Sequence, residues 1–249
     1  MPRTHATLPR LFVDDPLRAG AELALGHDQV TYLVSVLRRG TGDRVVLFNG
    51  RDGAWLCEIV EASRKLVRLA PVACIAAQTS QSDLWYGFAP LKTARLDYVV
   101  QKATEMGVGI IQPVITRRTQ VSRIKRERMR ANALEAAEQC EVLTLPEIRD
   151  EIGLDRLIAL WAETEGDRVL VVADEAAPSG SPVEALRALA DRRVGLLVGP
   201  EGGFDDEERA LLMRQSFVLP VSLGPRILRA DTAAVAALAV MQSIIGDWR

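Results

Sequence analysis

Apolar positions along this chain follow two different rhythms. Up to about residue 73 the apolar runs are short and separated by glycine, asparagine and aspartate. Pro9 to Val13 reads as a short extended segment. Val30, Leu33, Val34 and Leu37 recur at helical spacing, with Asp28 as the expected cap and Gly40 as the stop. Arg44–Phe48 and Ala54–Val60 alternate as strands on either side of an Asn49–Gly53 turn, and Leu66–Val72 gives a further strand. Short strands with one helix predict a small barrel. Ala76 to Asp83 is polar and aperiodic, as a linker would be.

From Leu84 the pattern becomes continuous apolar runs alternating with amphipathic stretches. Strands are predicted at 84–89, 110–115, 168–174, 194–198 and 217–221. Helices are predicted at 93–106, 126–140, 154–163, 182–191, 205–215 and 231–245. Fully apolar strands separated by helices predict a parallel sheet covered on both faces, an α/β fold. The expected organisation is residues 1–73, a linker at 74–83, and a domain at 84–249.

Composition narrows the class. The chain has 249 residues, 48% hydrophobic and 26% charged, enough for a large core. No apolar run reaches spanning length, so no membrane partner is expected. Three scattered cysteines and two histidines support neither a disulfide framework nor a metal site. The first residues carry no apolar signal-type run, and a cytoplasmic setting is expected. A net charge of −2 excludes a general nucleic-acid coat. Between Arg117 and Arg130, however, seven cations face a single acid, Glu127. That cluster reads either as a polyanion docking surface or as a solvated helix face.

Two glycine turns carry the candidate chemistry. Leu196-Leu197-Val198-Gly199-Pro200-Glu201-Gly202-Gly203-Phe204 breaks an apolar run abruptly. Ser222-Leu223-Gly224-Pro225-Arg226-Ile227-Leu228-Arg229 then leads into an alanine-rich helix. Both lie at strand carboxyl ends, where open α/β sheets bind ligands. Neither is a dinucleotide fingerprint nor a phosphate-binding loop, because the glycine spacing differs and no Gly-Lys-Ser/Thr follows. Backbone groups and aliphatic side chains with little fixed charge suit an adenine ring with a small polar tail. A ligand-free tight turn remains open on spacing alone.

Leu197–Phe204 together with Ser222–Ala233 closely resembles the ribosomal RNA small subunit methyltransferase E family of the SPOUT superfamily. The likeness extends to Pro9–Phe12, Val36–Arg39 with Gly42-Asp43, Gln101–Val108 and Glu135–Gln139. The resemblance implies an N-terminal PUA-like β-barrel for RNA and a C-terminal SPOUT domain with a deep trefoil knot. It implies S-adenosyl-L-methionine as methyl donor, a homodimer, and N3 of a uridine in 16S ribosomal RNA of the small subunit as the target. The donor site it implies comprises Leu197, Val198, Gly199, Pro200, Glu201, Gly202, Gly203, Leu223, Gly224, Ile227, Leu228, Arg229, Thr232 and Ala233. Arg10, Arg38, Lys92, Lys102, Arg123, Lys125 and Arg126 are the candidate RNA contacts. Two departures stand out. Glu141-Val142 replaces the family's usual Gly-Arg, and Asp231 replaces a glutamate.

Methylating N3 requires loss of the imide proton and donors for the charge that spreads over O2 and O4. The sulfonium is itself the electrophile, so no metal is needed. Arg229 is the candidate donor, with a salt bridge to Asp231 or Glu201 as its competing role. Glu201 either accepts the proton or braces its loop. A SPOUT enzyme acting on another RNA, such as transfer RNA 2′-O-ribose, and a non-catalytic RNA-binding protein remain the alternatives.

Overall fold

The computed structural model describes residues 7–120, 124–177 and 180–248. Contacts divide the chain into two compact units. The first comprises residues up to Ser80 with Ala137–Leu145, and the second Gln81–Ala136 with Pro146 onward.

In the first unit, β1 (Arg10–Phe12), β2 (Leu23–Ala24), β3 (Arg44–Phe48), β4 (Ala54–Ala62) and β5 (Val67–Ala76) form a sheet in the order β1-β3-β4-β5-β2. Alternation along the strands sorts side chains to two faces. Val45, Leu47, Cys57, Ile59, Val67 and Leu69 pack with Leu11 and Leu33. Val46, Phe48 and Ala54 pack on the other face with Ala137 and Leu143. At the β3–β4 turn, Asn49 Oδ1 accepts from the N–H groups of Arg51 (3.0 Å) and Asp52 (2.9 Å). Gly53 closes the turn at φ +81°, with the Ala76 carbonyl 2.2 Å from where a Cβ would lie.

The helix expected after Asp28 is shorter and differently started. α1 (His27–Thr31) has Gly26 at its cap with no side-chain bond, and Asp28 lies within its first turn. There the carboxylate still favours the helix dipole. The chain then widens into a π-helical turn, Tyr32–Val36, whose end is marked by Leu37 N–H donating to the Tyr32 carbonyl at 2.9 Å. Val30 and Leu33 are buried as their spacing demands.

In the second unit the strands are β6 (Trp85–Phe88), β7 (Ile110–Ile115), β8 (Glu147–Ile148), β9 (Ile152–Gly153), β10 (Val169–Ala173), β11 (Val194–Val198) and β12 (Val218–Val221). They form a parallel sheet in the order β12-β10-β11-β6-β7-β8, with β9 also pairing β7. The helices are α2 (Thr93–Glu105), α3 (Arg126–Cys140), α4 (Leu154–Thr164), α5 (Pro182–Arg187), α6 (Asp206–Met213) and α7 (Ala230–Ile244). Tyr86, Phe88, Val171, Leu196 and Val198 face α2, α5 and α7. Trp85, Leu170, Val172 and Leu197 face α4 and α6. Both faces are covered, which is why the strands read as unbroken apolar runs. After β12, at the sheet edge, residues 222–229 carry the chain back to α7, which packs on α2, α5 and β11.

α3 ends in a Schellman arrangement. Val142 N–H donates to the Ala137 carbonyl at 3.1 Å, and Glu141 between them adopts φ +59°. This is the position where the family pattern has glycine, the residue that adopts this conformation without strain. Val142 packs beside Ala137 and Leu143, so it serves the first unit as an apolar residue.

At the amino ends of β6, β10 and β11, a fully buried Arg168 ties the strands together. Its Nε is 3.1 Å from Glu165, its Nη2 is 2.7 Å from Asp83, and its Nη1 donates to the Val194 carbonyl at 3.0 Å. Asp83 is held below the ordinary carboxylate range, first by its hydrogen bond from Arg193 and then by that from Arg168. Asp97 is held down in the same way by Arg128. Such groups add stability that is complete above the unfolded pKa, about 3.9, and is lost as pH falls through their lower folded values. The thermal midpoint is therefore expected to stay level from pH 7 to about pH 5 and to fall below about pH 4, as calorimetry at stepped pH would read.

Candidate functional site

The two glycine turns stand at the carboxyl ends of β11 and β12, the strands that flank β10. β11 ends at Val198, and the turn closes where Gly203 N–H donates to the Pro200 carbonyl at 2.8 Å, with Gly203 at φ +69°. The chain then enters α6 through a capping box. Asp205 accepts from Glu208 N–H at 2.7 Å, and Glu208 accepts from Asp205 N–H at 3.1 Å. The Phe204 ring lies over Gly199, where a Cβ would be 3.0 Å from it. The loop after β7 buttresses this turn from outside: Arg118 donates to the Gly202 carbonyl at 2.6 Å, and Arg117 N–H donates to Glu208 at 2.7 Å. β10 ends beside both turns. Asp174 N–H donates to the Val221 carbonyl, and the Asp174 side chain accepts from Arg209 at 2.9 Å.

Together these strand ends surround two adjoining pockets open to solvent. Val198, Gly199, Pro200, Glu201 and Gly203 contribute from the first turn, and Ile227, Leu228 and Ala233 from the second segment and α7. Leu223 and Gly224 line the adjoining cavity. The walls offer backbone groups, aliphatic side chains, and the acidic residues Asp174, Glu175 and Glu201. Arg226 is the single cation among the described lining residues. A polyphosphate would meet little positive charge here, whereas an uncharged ring with a cationic tail is well matched.

Four expected donor-site residues do not line either cavity. Leu197 is fully buried on the opposite face of the sheet, because neighbouring strand residues point to opposite sides. Gly202 is on the outside of its turn, bonded to Arg118. Arg229 and Thr232 are exposed. Arg229 forms the N-cap position of α7, its carbonyl accepting from Ala233 N–H at 2.7 Å, and its side chain has no hydrogen bond or ion pair among the described residues. Neither Asp231 nor Glu201 is its salt-bridge partner. Arg95 takes that place, with Nη1 3.3 Å from Glu201 and Nε 3.7 Å from Asp231.

Arg95, Ala173, Asp174, Glu175, Phe204, Arg226 and Ala230 lie at or beside the site and escaped the sequence reading. For Asp174 and Glu175 a signal was present, since they follow an apolar strand and strand ends are where such sheets bind ligands. For Arg95 there was none, because α2 is far from both turns in sequence.

Three of the seven cations between Arg117 and Arg130 stand in ion pairs among the described residues. Arg117 meets Asp205 (3.0 Å) and Glu207 (2.5 Å), Arg126 meets Asp150 (2.5 Å), and Arg128 meets Asp97 (2.5 Å). All three arginines stay more than half exposed in these pairs. Arg123 lies outside the described residues. Lys125 and Lys92 are exposed, while Lys102 is paired with Glu105 at 2.7 Å and lies over the Tyr98 ring. In the first unit Arg38 is exposed with φ +53°. Arg10 lies 5.7 Å from the centre of the Phe48 ring, and burial lowers the pKa of its guanidinium. Among the described residues no cluster of His, Cys, Asp or Glu could hold a metal ion, and no helix is long and apolar enough to cross a membrane.

With this geometry in hand, comparison with known proteins is informative. Residues 78–242 match the family described as RNA methyltransferase domain, and residues 25–72 match the RNA methyltransferase PUA domain. Ribosomal RNA small subunit methyltransferase E of Rickettsia conorii is 30% identical over 231 residues, covering 92% of this chain and 93% of the relative. Among solved structures, a putative methyltransferase from Legionella pneumophila in complex with SAM is 31% identical with a TM-score of 0.80, covering 95% of this chain and 97% of the other. The Neisseria gonorrhoeae ribosomal RNA small subunit methyltransferase E bound to S-adenosyl methionine is 25% identical with a TM-score of 0.82, covering 97% and 100%. A PUA match followed by a methyltransferase match, relatives aligned along almost their full length, and a ligand cavity between two glycine turns lead to one conclusion: this chain belongs to the ribosomal RNA small subunit methyltransferase E family.

Proposed function

We propose that the protein transfers a methyl group from S-adenosyl-L-methionine to N3 of a uridine in the 16S RNA of the small ribosomal subunit. The observation that carries this is the pocket at the ends of β10, β11 and β12, whose backbone and aliphatic lining and sparse positive charge fit a nucleoside with a cationic tail. When bound, S-adenosyl-L-methionine supplies the electrophilic methyl group. The protein then has three tasks: to hold N3 in line with that methyl, to let the imide proton pass to solvent water, and to meet the charge that develops on O2 and O4.

Arg229 suits the last task. It projects from the start of α7 beside the cavity-lining Leu228 and Ala230, and no carboxylate occupies its guanidinium among the described residues. Glu201 suits bracing, since Arg95 already engages its carboxylate. N3 lies on the pairing edge, so the uridine must be unpaired when it reacts. Arg38, Lys92 and Lys125, all exposed, are the better candidates for RNA phosphate contacts, and Arg10 and Lys102 are more committed to internal partners. In this reading residues 1–73 present RNA and residues 84–249 catalyse, within a cytoplasmic homodimer. Ile227 at the cavity rim is 88% exposed, an apolar surface that a second copy would cover.

Mass spectrometry of ribosomal RNA from cells with and without the gene tests the reaction. A base-methylated uridine in the small-subunit RNA that disappears with the gene is the expected result. Loss of a 2′-O-methyl from transfer RNA would favour the related SPOUT chemistry. An unchanged RNA profile, with no heat of S-adenosyl-L-methionine binding by the purified protein, would favour a non-catalytic RNA-binding role.

A further inference from the structure

We infer that Arg95 is a positioning residue that sets the width of the donor cavity by clasping its two glycine segments from outside. This rests on the donor-site reading above and assigns it a residue that neither turn contains. Arg95 stands in the first turns of α2, and its guanidinium has two partners. Nη1 is 3.3 Å from Glu201, in the turn after β11, and Nε is 3.7 Å from Asp231, at the start of α7. Glu201 itself lines the cavity. Asp231 lies between Ala230 and Ala233, which also line it, and follows the Ile227–Leu228 stretch. One guanidinium therefore bridges both walls.

Only a planar fork suits this task. A guanidinium presents several donors in fixed directions, whereas an ammonium is a single point of charge on a flexible stem. α2 supplies a firm base, because Leu96, Val99 and Val100 are buried against the sheet. Arg95 is 38% exposed and its partners are 40% and 20% exposed. Exposed pairs of this kind add little to global stability. Their effect is local, on two loop segments that glycines leave free to move apart. Asp231 in place of the family's glutamate shortens this arm of the clasp by one methylene, and Arg95 still reaches it.

The test compares wild type, Arg95→Ala and Arg95→Lys by calorimetry with S-adenosyl-L-methionine, by thermal unfolding, and by steady-state methylation of ribosomal RNA. Arg95→Ala is expected to weaken donor binding about tenfold, while moving the melting temperature by less than about 3 °C. The KM for the donor should rise by a larger factor than kcat falls, with the KM for RNA unchanged. Arg95→Lys should recover only part of the affinity, because its three donors sit on a flexible stem and are not held in fixed directions. Donor affinity unchanged in Arg95→Ala, against a wild type that binds, would overturn the clasp while leaving the donor site intact. A rise in the RNA KM alone would overturn it in favour of an RNA contact. No binding by the wild type itself would overturn the donor site and the clasp together.

Discussion

Alanine in place of Arg168 is expected to destabilise the second unit by about 3–5 kcal/mol. The side chain is fully buried and serves three partners at once: Glu165, Asp83 and the Val194 carbonyl. Glu165 is itself only 2% exposed and would keep Arg149 alone, at 2.5 Å. Removing one member of a buried ion group leaves the others desolvated and uncompensated, which costs far more than the intact group contributes. Asp83 would lose less, because Arg193 still holds it at 2.7 Å. Urea unfolding followed by tryptophan fluorescence would report the loss, since Trp85 and Trp161 lie in the adjoining core. Folded Arg168→Ala protein should still bind the methyl donor. Its lesion is at the amino ends of the strands, and the cavity is at their carboxyl ends. A shift of under about 1 kcal/mol would mean that relaxation or water replaces the guanidinium.

Arg229→Ala is expected to lower kcat for ribosomal RNA methylation by about 10²–10³, the usual effect of removing one donor to a developing oxyanion. Donor affinity should be unchanged, because the Arg229 side chain is not part of the cavity wall. Its carbonyl caps the first turn of α7 through the backbone, and alanine preserves that bond. Methylation at near wild-type rate would remove Arg229 from the chemistry. Weakened donor binding with a normal rate at saturation would instead make it part of the donor site.

Much of the second unit was legible because its strands are buried on both faces. Val169–Ala173 and Val194–Val198 are unbroken apolar runs, and α3 falls at Arg126–Cys140 as its pattern predicts. The two-residue strands β2, β8 and β9 were not separately legible, since pairing alone defines strands so short. The π-helical turn at Tyr32–Val36 escaped because its apolar residues keep ordinary helical spacing. The glycine turns announced a cavity, yet local sequence does not say which atoms face inward. Leu197 and Val198 are equally apolar neighbours, and only the pleat sends one into the core and the other to the site. Nor does local pattern pair a cation with its acid. In sequence Arg117 to Arg130 stand almost without acids, because Asp97, Asp150, Asp205 and Glu207 come from elsewhere in the chain.

That Ala137 and Leu143 complete the core beside Val46 and Phe48 has a consequence for synthesis. Glu138 also accepts from the Phe12 N–H at 2.9 Å, so β1 depends on the same later stretch. A ribosome that has made residues up to Ser80 has not yet made the piece that finishes the first unit, which runs to Leu145. At ordinary elongation rates the wait is roughly 3–13 s. For that interval the nascent sheet holds Val46, Phe48 and Ala54 without their last partners, a natural window for a chaperone. A fragment cut after Ser80 would keep that apolar face permanently bare.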